Sequence, residues 1–206
     1  QMCIRDRPET IILADGDFPS HPLALEWLRQ CPYVVCCDGA ANTYIRSGRM
    51  PEAIVGDGDS LLPDIKERYA SLIHSEAEQE TNDLSKAFRF CLSQERKRIT
   101  IMGATGKRED HTIGNVSLLA DYMEQAEVSM MTDYGIFVPI REDSMFESYI
   151  GQQISVFNMN STALSAEGLA YPLSVFTNWW QGTLNEALAR HFIIRTEGKV
   201  LVFRVF

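Results

Sequence analysis

The sequence predicts an α/β protein: a mostly parallel sheet over the first two thirds, then a smaller antiparallel β region. Three observations carry this. Short apolar runs alternate with helix-period segments as far as about residue 142, the grammar of strands joined by helical crossovers. Four of those runs end in an acidic or glycine-bearing turn, and open α/β sheets bind ligands beyond the carboxyl ends of their strands. After about Asp143 the helical period disappears and short β-prone runs follow.

The elements can be justified in chain order. Residues 11–14 form an apolar run that ends at Asp15-Gly16-Asp17. Ser20 and Pro22 punctuate a helix start, with Leu25 and Leu28 as its apolar side. The strand at 33–37 leads into Asp38-Gly39-Ala40-Ala41-Asn42, which opens a helix. Its small residues serve either close ligand approach or tight helix–strand packing. Residues 53–55 precede Gly56-Asp57-Gly58-Asp59-Ser60, and 63–71 read as a short polar helix. Asn82 has the chemistry of an N-cap, and Leu84, Ala87, Phe88, Cys91 and Leu92 fall on one stripe behind it. Residues 99–102 end at Gly103-Ala104-Thr105-Gly106-Lys107-Arg108. A helix over 112–125 then turns Ile113, Val116, Ala120 and Met123 inward, and strands follow at 127–132 and 136–140. Further strands are expected at 154–157, 173–176, 191–195 and 199–205, the last two flanking a hairpin turn at Thr196-Glu197-Gly198. The domain boundaries are 8–142 and 143–206, and residues 1–7 fit no element.

The bulk numbers exclude several function classes. With 206 residues, 45% of them hydrophobic, the chain can bury a proper core. A net charge of −9 disfavours general nucleic-acid binding and anionic membrane surfaces. No apolar run approaches bilayer length, and no signal peptide is visible. The five cysteines are odd in number and form no CxxC pair. That points to reduced thiols in a cytoplasmic protein rather than a disulfide or zinc framework.

Carboxylates gathered at strand ends without an equal count of bases suggest a hard cation, and glycines suggest phosphate close to backbone. The combination reads as Mg2+ plus a nucleoside triphosphate. Asp57 and Asp59, two apart on a glycine-interrupted loop, can point into one site. Asp83, in the first turn behind Asn82, is either a helix-dipole partner or a third metal ligand. Lys86, one turn on, is either its i, i+3 partner or a phosphate contact. The Gly103–Arg108 loop matches neither a Walker A loop nor GxGxxG. Its backbone N–H groups still suit an anion, and Arg108 can grip phosphate through two donors. Asp110 reads as a helix-start cap, and His111 as a hydrogen-bonder or site residue. In the second domain Trp179 and Trp180 are either an interface or core plug or an aromatic wall for a flat cationic ring, with Tyr171 beside them.

Taken together, Cys37-Asp38-Gly39-Ala40-Ala41-Asn42, Gly56-Asp57-Gly58-Asp59-Ser60, Gln79-Glu80-Thr81-Asn82-Asp83-Leu84-Ser85-Lys86, Gly103 through His111 with Asn115, and Gly168-Leu169-Ala170-Tyr171-Pro172-Leu173 resemble the bacterial thiamine pyrophosphokinases over nearly the whole chain. The resemblance implies a three-layer α/β domain that binds ATP and a β-sandwich domain that helps bind thiamine. It implies Mg2+-dependent conversion of ATP and thiamine to AMP and thiamine diphosphate, in a homodimer with its active site near the subunit interface. By matching motif, Asp57, Asp59 and Asp83 would hold the metal, with Asp38 close by and Arg108 among the catalytic groups. Gly39, Asn42, Ser60, Gln79, Asn82, Lys86, Arg108, Asp110 and His111 would serve ATP. Tyr171, Trp180, Thr183 and Asn185 would lie near thiamine. One departure is Leu184, where the family often has Ser before the Asn-Glu pair: a thiamine-contacting hydroxyl is either missing or supplied by Thr183 or Ser165. Two readings compete: a Mg2+-dependent phosphohydrolase or nucleotide-sugar transferase using the Asp-x-Asp pair, and a non-catalytic nucleotide or vitamin sensor.

Overall fold

A computed structural model describes residues 8–76 and 80–206. The chain separates into two compact units. Described residues of the first run to Leu118 and resume over Gln125–Asp133, and those of the second are Leu119–Glu124 and Tyr134–Phe206.

The first unit alternates strand and helix: β1 (Thr10–Leu13), α1 (Pro22–Gln30), β2 (Val34–Cys37), α2 (Ala40–Arg46), β3 (Ala53–Val55), α3 (Pro63–Arg68), β4 (Ile73–His74), α4 (Asp83–Ser93), β5 (Arg98–Met102), α5 (Glu109–Tyr122) and β6 (Glu127–Met131). All six strands pair in parallel, in the order β6-β5-β1-β2-β3-β4. Every residue of β1, β2 and β3 is buried, as parallel strands beneath crossover helices should be. The chain steps outward from β1 to β4, then returns to β5 on the other side of β1. The topological switch point therefore falls between β1 and β5, and a crevice opens beyond their carboxyl ends.

Local chemistry sets the helix ends. The α1 cap is His21 rather than Ser20: its Nδ1 accepts from the Leu23 N–H at 3.3 Å, and Pro22 follows. Ser20 instead donates its backbone N–H to Asp133 Oδ1 at 2.9 Å. At α4 the Asn82 side chain accepts from the Ser85 N–H at 2.9 Å, and Leu84, Ala87, Phe88 and Cys91 are buried as the stripe requires. α5 begins three residues before the expected start, and its buried positions are Val116, Leu119 and Tyr122. Ile113, one turn earlier, is 60% exposed, so its expected inward role is corrected.

In the second unit the strands are β7 (Gly135–Ile140), β8 (Ser144–Glu147), β9 (Gln153–Asn158), β10 (Leu164–Glu167), β11 (Asn185–Glu186), β12 (His191–Thr196) and β13 (Val200–Val205). Four pair antiparallel in the order β11-β9-β13-β7, and three in the order β10-β12-β8. The two sets face each other. Buried Arg204 of β13 lies 5.1 Å from the centre of the Phe146 ring on β8 and donates to the Glu147 carbonyl at 3.1 Å. The α/β-then-antiparallel class read from the sequence is the observed one.

Two local expectations fail. β12 and β13 belong to different sheets, so Thr196-Glu197-Gly198 is a corner rather than a hairpin turn. The Glu197 carbonyl accepts from the Thr162 N–H and its own N–H reaches the Ala163 carbonyl, tying the corner to the segment before β10. Residues 173–176 form no strand. Pro172 lacks an N–H for a ladder, and the Ser174 carbonyl is taken locally by the Phe176 N–H at 2.8 Å.

Candidate active site

The site grows from the switch point. Past β1 and β5 the two connecting loops are sewn together through backbone. Ala14 N–H reaches the Met102 carbonyl at 2.8 Å, Gly16 N–H the Gly103 carbonyl at 2.6 Å, and Asp17 N–H the Thr105 carbonyl at 2.9 Å. Glycine is required at this seam. A Cβ on Gly106 (φ +84°) would lie 2.1 Å from Asp17 Oδ2. From α5, Asn115 Nδ2 donates to the Ala104 carbonyl at 2.9 Å and holds the loop from behind.

The end of β2 supplies Asp38, only 4% exposed and with a left-handed φ of 32°. A non-glycine residue held there marks a functional constraint. Its Oδ2 accepts from the Ser60 N–H at 3.0 Å, whereas its buried Oδ1 has no hydrogen-bond partner. Burial pushes the Asp38 carboxyl up, and the negative charges of Asp57 and Asp83 push the same way. Asn42 braces the neighbouring turn: its Nδ2 donates to the Ser60 carbonyl at 2.8 Å and its Oδ1 accepts from the Leu62 N–H at 2.9 Å. In that turn Asp57 Oδ1 accepts from the Asp59 N–H at 3.0 Å, and Lys66 Nζ donates to the Gly58 carbonyl at 2.8 Å.

Asp83 enters from the first turn of α4. Lys86 Nζ lies 3.3 Å from Asp83 Oδ1 and its side chain is 6% exposed, so the i, i+3 pair is formed. Across the cleft, Arg108 presents its fork to Asp110: Nε to Oδ1 at 3.0 Å and Nη2 to Oδ2 at 2.5 Å. That bond pulls the Asp110 carboxyl down to about 2, helped by the His111 N–H on Oδ1.

These segments line one cleft of about 550 Å³. Of the sequence-derived candidates, it brings together Asp38, Gly39, Ser60, Asn82, Asp83, Arg108, Asp110 and His111. Asn42, Asp57, Asp59 and Lys86 are not in its lining; Asn42 and Lys86 support residues that are. Gln79 lies outside the described residues. Sequence reasoning missed Asp15, Cys37, Thr105 and Lys107, which do line it. The signal for Asp15 was present, since its turn follows an apolar run like the others. For Lys107 the base was visible, but nothing showed which way it would point.

Among the described residues no three His, Cys, Asp or Glu side chains are grouped to hold one metal ion. Asp57, Asp59 and Asp83 are thus not drawn into one coordination group here. The donor chemistry nevertheless fits a hard divalent cation: the oxygens are carboxylate oxygens, Asp57 and Asp83 both act electrostatically on Asp38, and Asp38 Oδ1 is buried without a partner.

In the second unit, Tyr171 and Trp180 are exposed, and Trp179 meets Phe157 edge-on at 5.9 Å. Thr183 Oγ1 donates to the Trp180 carbonyl at 2.7 Å. Asn185 is buried, and its amide clamps the preceding loop, accepting from the Tyr171 N–H at 3.1 Å and donating to the Tyr171 carbonyl at 2.8 Å. Leu184 is 75% exposed with φ 61°.

Comparison with known proteins bears on both units. The family model described as "Thiamin pyrophosphokinase, catalytic domain" matches residues 24–131, and "Thiamin pyrophosphokinase, substrate-binding domain" matches 135–203. Thiamine pyrophosphokinase 1 of Oryza sativa subsp. japonica is 30% identical over 129 residues, 50% of this chain and 49% of that protein. Thiamine pyrophosphokinase of Bacillus subtilis is 34% identical over 86 residues, 40% of each. The chain spans about half the length of the curated relatives it matches. In fold it is similar to the crystal structure of thiamine pyrophosphokinase from Bacillus subtilis, with a TM-score of 0.79 at 20% identity over 95% of this chain and 98% of that one. The yeast enzyme gives 0.78 at 16% identity, over 98% and 88%. With one family model over more than half of its length and a second over most of the rest, the chain belongs to the thiamin pyrophosphokinase family.

Proposed function

We propose that this chain is a thiamine pyrophosphokinase, moving the diphosphoryl group of ATP onto the hydroxyl of thiamine and releasing AMP. The observation that carries this reading is the cleft at the switch point. It joins carboxylates from four strand ends or helix starts to the Arg108 fork, in a chain that matches both the catalytic and the substrate-binding model. In this reading the nucleotide is served by the first unit and thiamine by the second, with the division falling just before β7.

Mg2+ held by Asp57, Asp59 and Asp83, with Asp38 beside them, would neutralise polyphosphate charge. The other work falls to the protein. The seam between the β1 and β5 loops holds the glycine-bearing Gly103–Arg108 segment beside the cleft, where phosphate can approach the backbone closely. Gly39 leaves room there, since a Cβ on it would sit 2.6 Å from Asp15 Oδ2. Arg108 exchanges Asp110 for phosphate oxygens of similar fork geometry, and a cleft carboxylate takes the hydroxyl proton. Asn82 starts α4 where Asp83 is needed, and Lys86 fixes the Asp83 side chain. Catalysis is then chiefly alignment and charge compensation.

For thiamine, the exposed Tyr171 and Trp180 rings offer flat apolar faces to a cationic ring system. Thr183 and the Asn185 clamp shape that surface. The same exposed aromatics support a homodimer in which a second copy covers them. Free Cys31, Cys36, Cys37 and Cys91 support work in a reducing compartment such as the cytoplasm. No helix among the described residues is long and apolar enough to cross a membrane.

The test is an assay with thiamine, ATP and Mg2+ in which AMP and thiamine diphosphate are measured together. Equal amounts of both, neither formed without thiamine, is the expected result. Nucleotide breakdown independent of thiamine would make the chain a phosphohydrolase, and binding of both ligands without turnover would make it a sensor.

A further inference from the structure

We infer that Lys107 is a phosphate-binding cation of the cleft, held over it by Asp15 and exchanging Asp15 for the nucleotide's polyphosphate. This rests on the nucleotide reading above and adds a residue to it.

Four observations converge. First, Lys107 has φ 28°, a left-handed conformation that glycine adopts freely and lysine does not. Its neighbour Gly106 (φ +84°) shows what such a loop ordinarily uses. Second, the Lys107 ammonium lies 3.2 Å from Asp15 Oδ1, across 92 residues of sequence, and both residues line the cleft. Third, their backbones do not drift apart, because the Gly16–Gly103 and Asp17–Thr105 hydrogen bonds bind the two loops. Fourth, the charge balance needs it. Among the described residues the cleft lining holds two Lys or Arg side chains, Lys107 and Arg108, against the carboxylates of Asp15, Asp38, Asp83 and Asp110. Arg108 is already gripped by both oxygens of Asp110, whereas Lys107 has one contact to Asp15.

The Lys107 and Asp15 side chains are 55% and 47% exposed. An ion pair that open to water is weak, so a polyphosphate displaces the carboxylate readily. The ammonium is a compact charge on a flexible stem and needs no fixed fork to follow the phosphate. Asp15 is the positioning residue: it keeps the ammonium at the cleft mouth when no anion is there.

The experiment is calorimetric titration of the full chain with α,β-methylene-ATP and, separately, with AMP, in the presence of Mg2+. Lys107→Met, Lys107→Arg and Lys107→Gly are compared with the unchanged protein. Losing one charged contact should weaken the triphosphate analogue about tenfold in Lys107→Met, with AMP moved less than threefold. Lys107→Arg should stay within about threefold for both ligands. Lys107→Gly, which relieves the backbone, should bind the analogue as weakly as Lys107→Met while melting no lower than the unchanged protein, so a folding defect in one variant leaves the other decisive. Unchanged analogue binding in both neutral variants overturns the role of Lys107 alone, and so does an equal loss for AMP. If the unchanged protein binds neither nucleotide, the underlying reading fails with it.

Discussion

Two glycines with nearly identical backbones form a matched pair. Gly48 has φ +85° and nothing within 4 Å of where a Cβ would stand. Gly106 has φ +84°, but a Cβ there would lie 2.1 Å from Asp17 Oδ2, 2.3 Å from its Cγ and 2.8 Å from its Cβ. Replacing either with alanine forces an L-residue into the left-handed region, which costs about 1–2 kcal/mol. At Gly48 that is the whole effect. For a chain of this size about 1 kcal/mol lowers Tm by roughly 2–4 °C, so Gly48→Ala should melt about 2–8 °C lower with unaltered turnover. Gly106→Ala carries the same backbone term plus overpacking of about 1–3 kcal/mol. The Asp17 side chain cannot give way freely, because its backbone is bonded to Thr105 in the seam. The total of about 2–5 kcal/mol corresponds to a Tm drop of roughly 4–20 °C. Turnover should fall at least tenfold, since the displaced loop carries Lys107 and Arg108. Differential scanning calorimetry on both variants, beside the AMP-release assay, measures each term. Equal melting shifts for the two would refute the crowding at Gly106, and full activity in Gly106→Ala would refute the link from seam to cleft.

Three further outcomes are expected. Burial and the nearby Asp57 and Asp83 raise the Asp38 carboxyl, so the folded state holds that proton more tightly than the unfolded chain, and stability falls as pH rises from the ordinary carboxylate range through the raised value. In chelator, Asp38→Asn should therefore melt a few degrees higher at pH 7, an advantage that shrinks toward pH 3, while in the Mg2+-containing assay its turnover disappears; a lower melting temperature at pH 7 would contradict the sign. Because the Arg108 fork holds the Asp110 carboxyl down near 2, with the His111 N–H helping, carbon-detected NMR titration should find a depressed value in the unchanged protein and a clearly higher one in Arg108→Ala; no movement would mean that the pair is not formed. Asp59→Ala should abolish thiamine-dependent AMP release with an unchanged circular-dichroism melt, and normal turnover would remove Asp59 from the metal assignment.

Much of the first unit was legible because its signals are local. An apolar run followed by Asp-Gly or Gly-Asp names a strand and its turn, and Asn82 names a cap, without knowledge of what packs where. What was illegible depends on the path of the chain in space. Ser144–Glu147 and Leu164–Glu167 mix polar and apolar residues without the expected run, and their sheet exists only because β12 lies between them. The corner at Thr196-Glu197-Gly198 has a hairpin's composition, yet sends the chain to another sheet. In the site, residue type announced Asp38, Asp83 and Arg108. It did not distinguish the buried, strained Asp38 from Asp57, which caps its own turn. Nor did it show that Lys86 faces Asp83 while Lys107 faces the cleft.

The stitching of the β1 loop to the β5 loop has a consequence for how this protein breathes. Loop amides ordinarily trade their hydrogens with solvent soonest, because nothing but water holds them. The amides of Gly16 and Asp17 sit in connecting segments, yet each is locked to a carbonyl from the far side of the crevice. Their deuterium uptake should lag behind that of other turns and keep pace with the central strands, so the walls of the pocket open only when the sheet beneath them does.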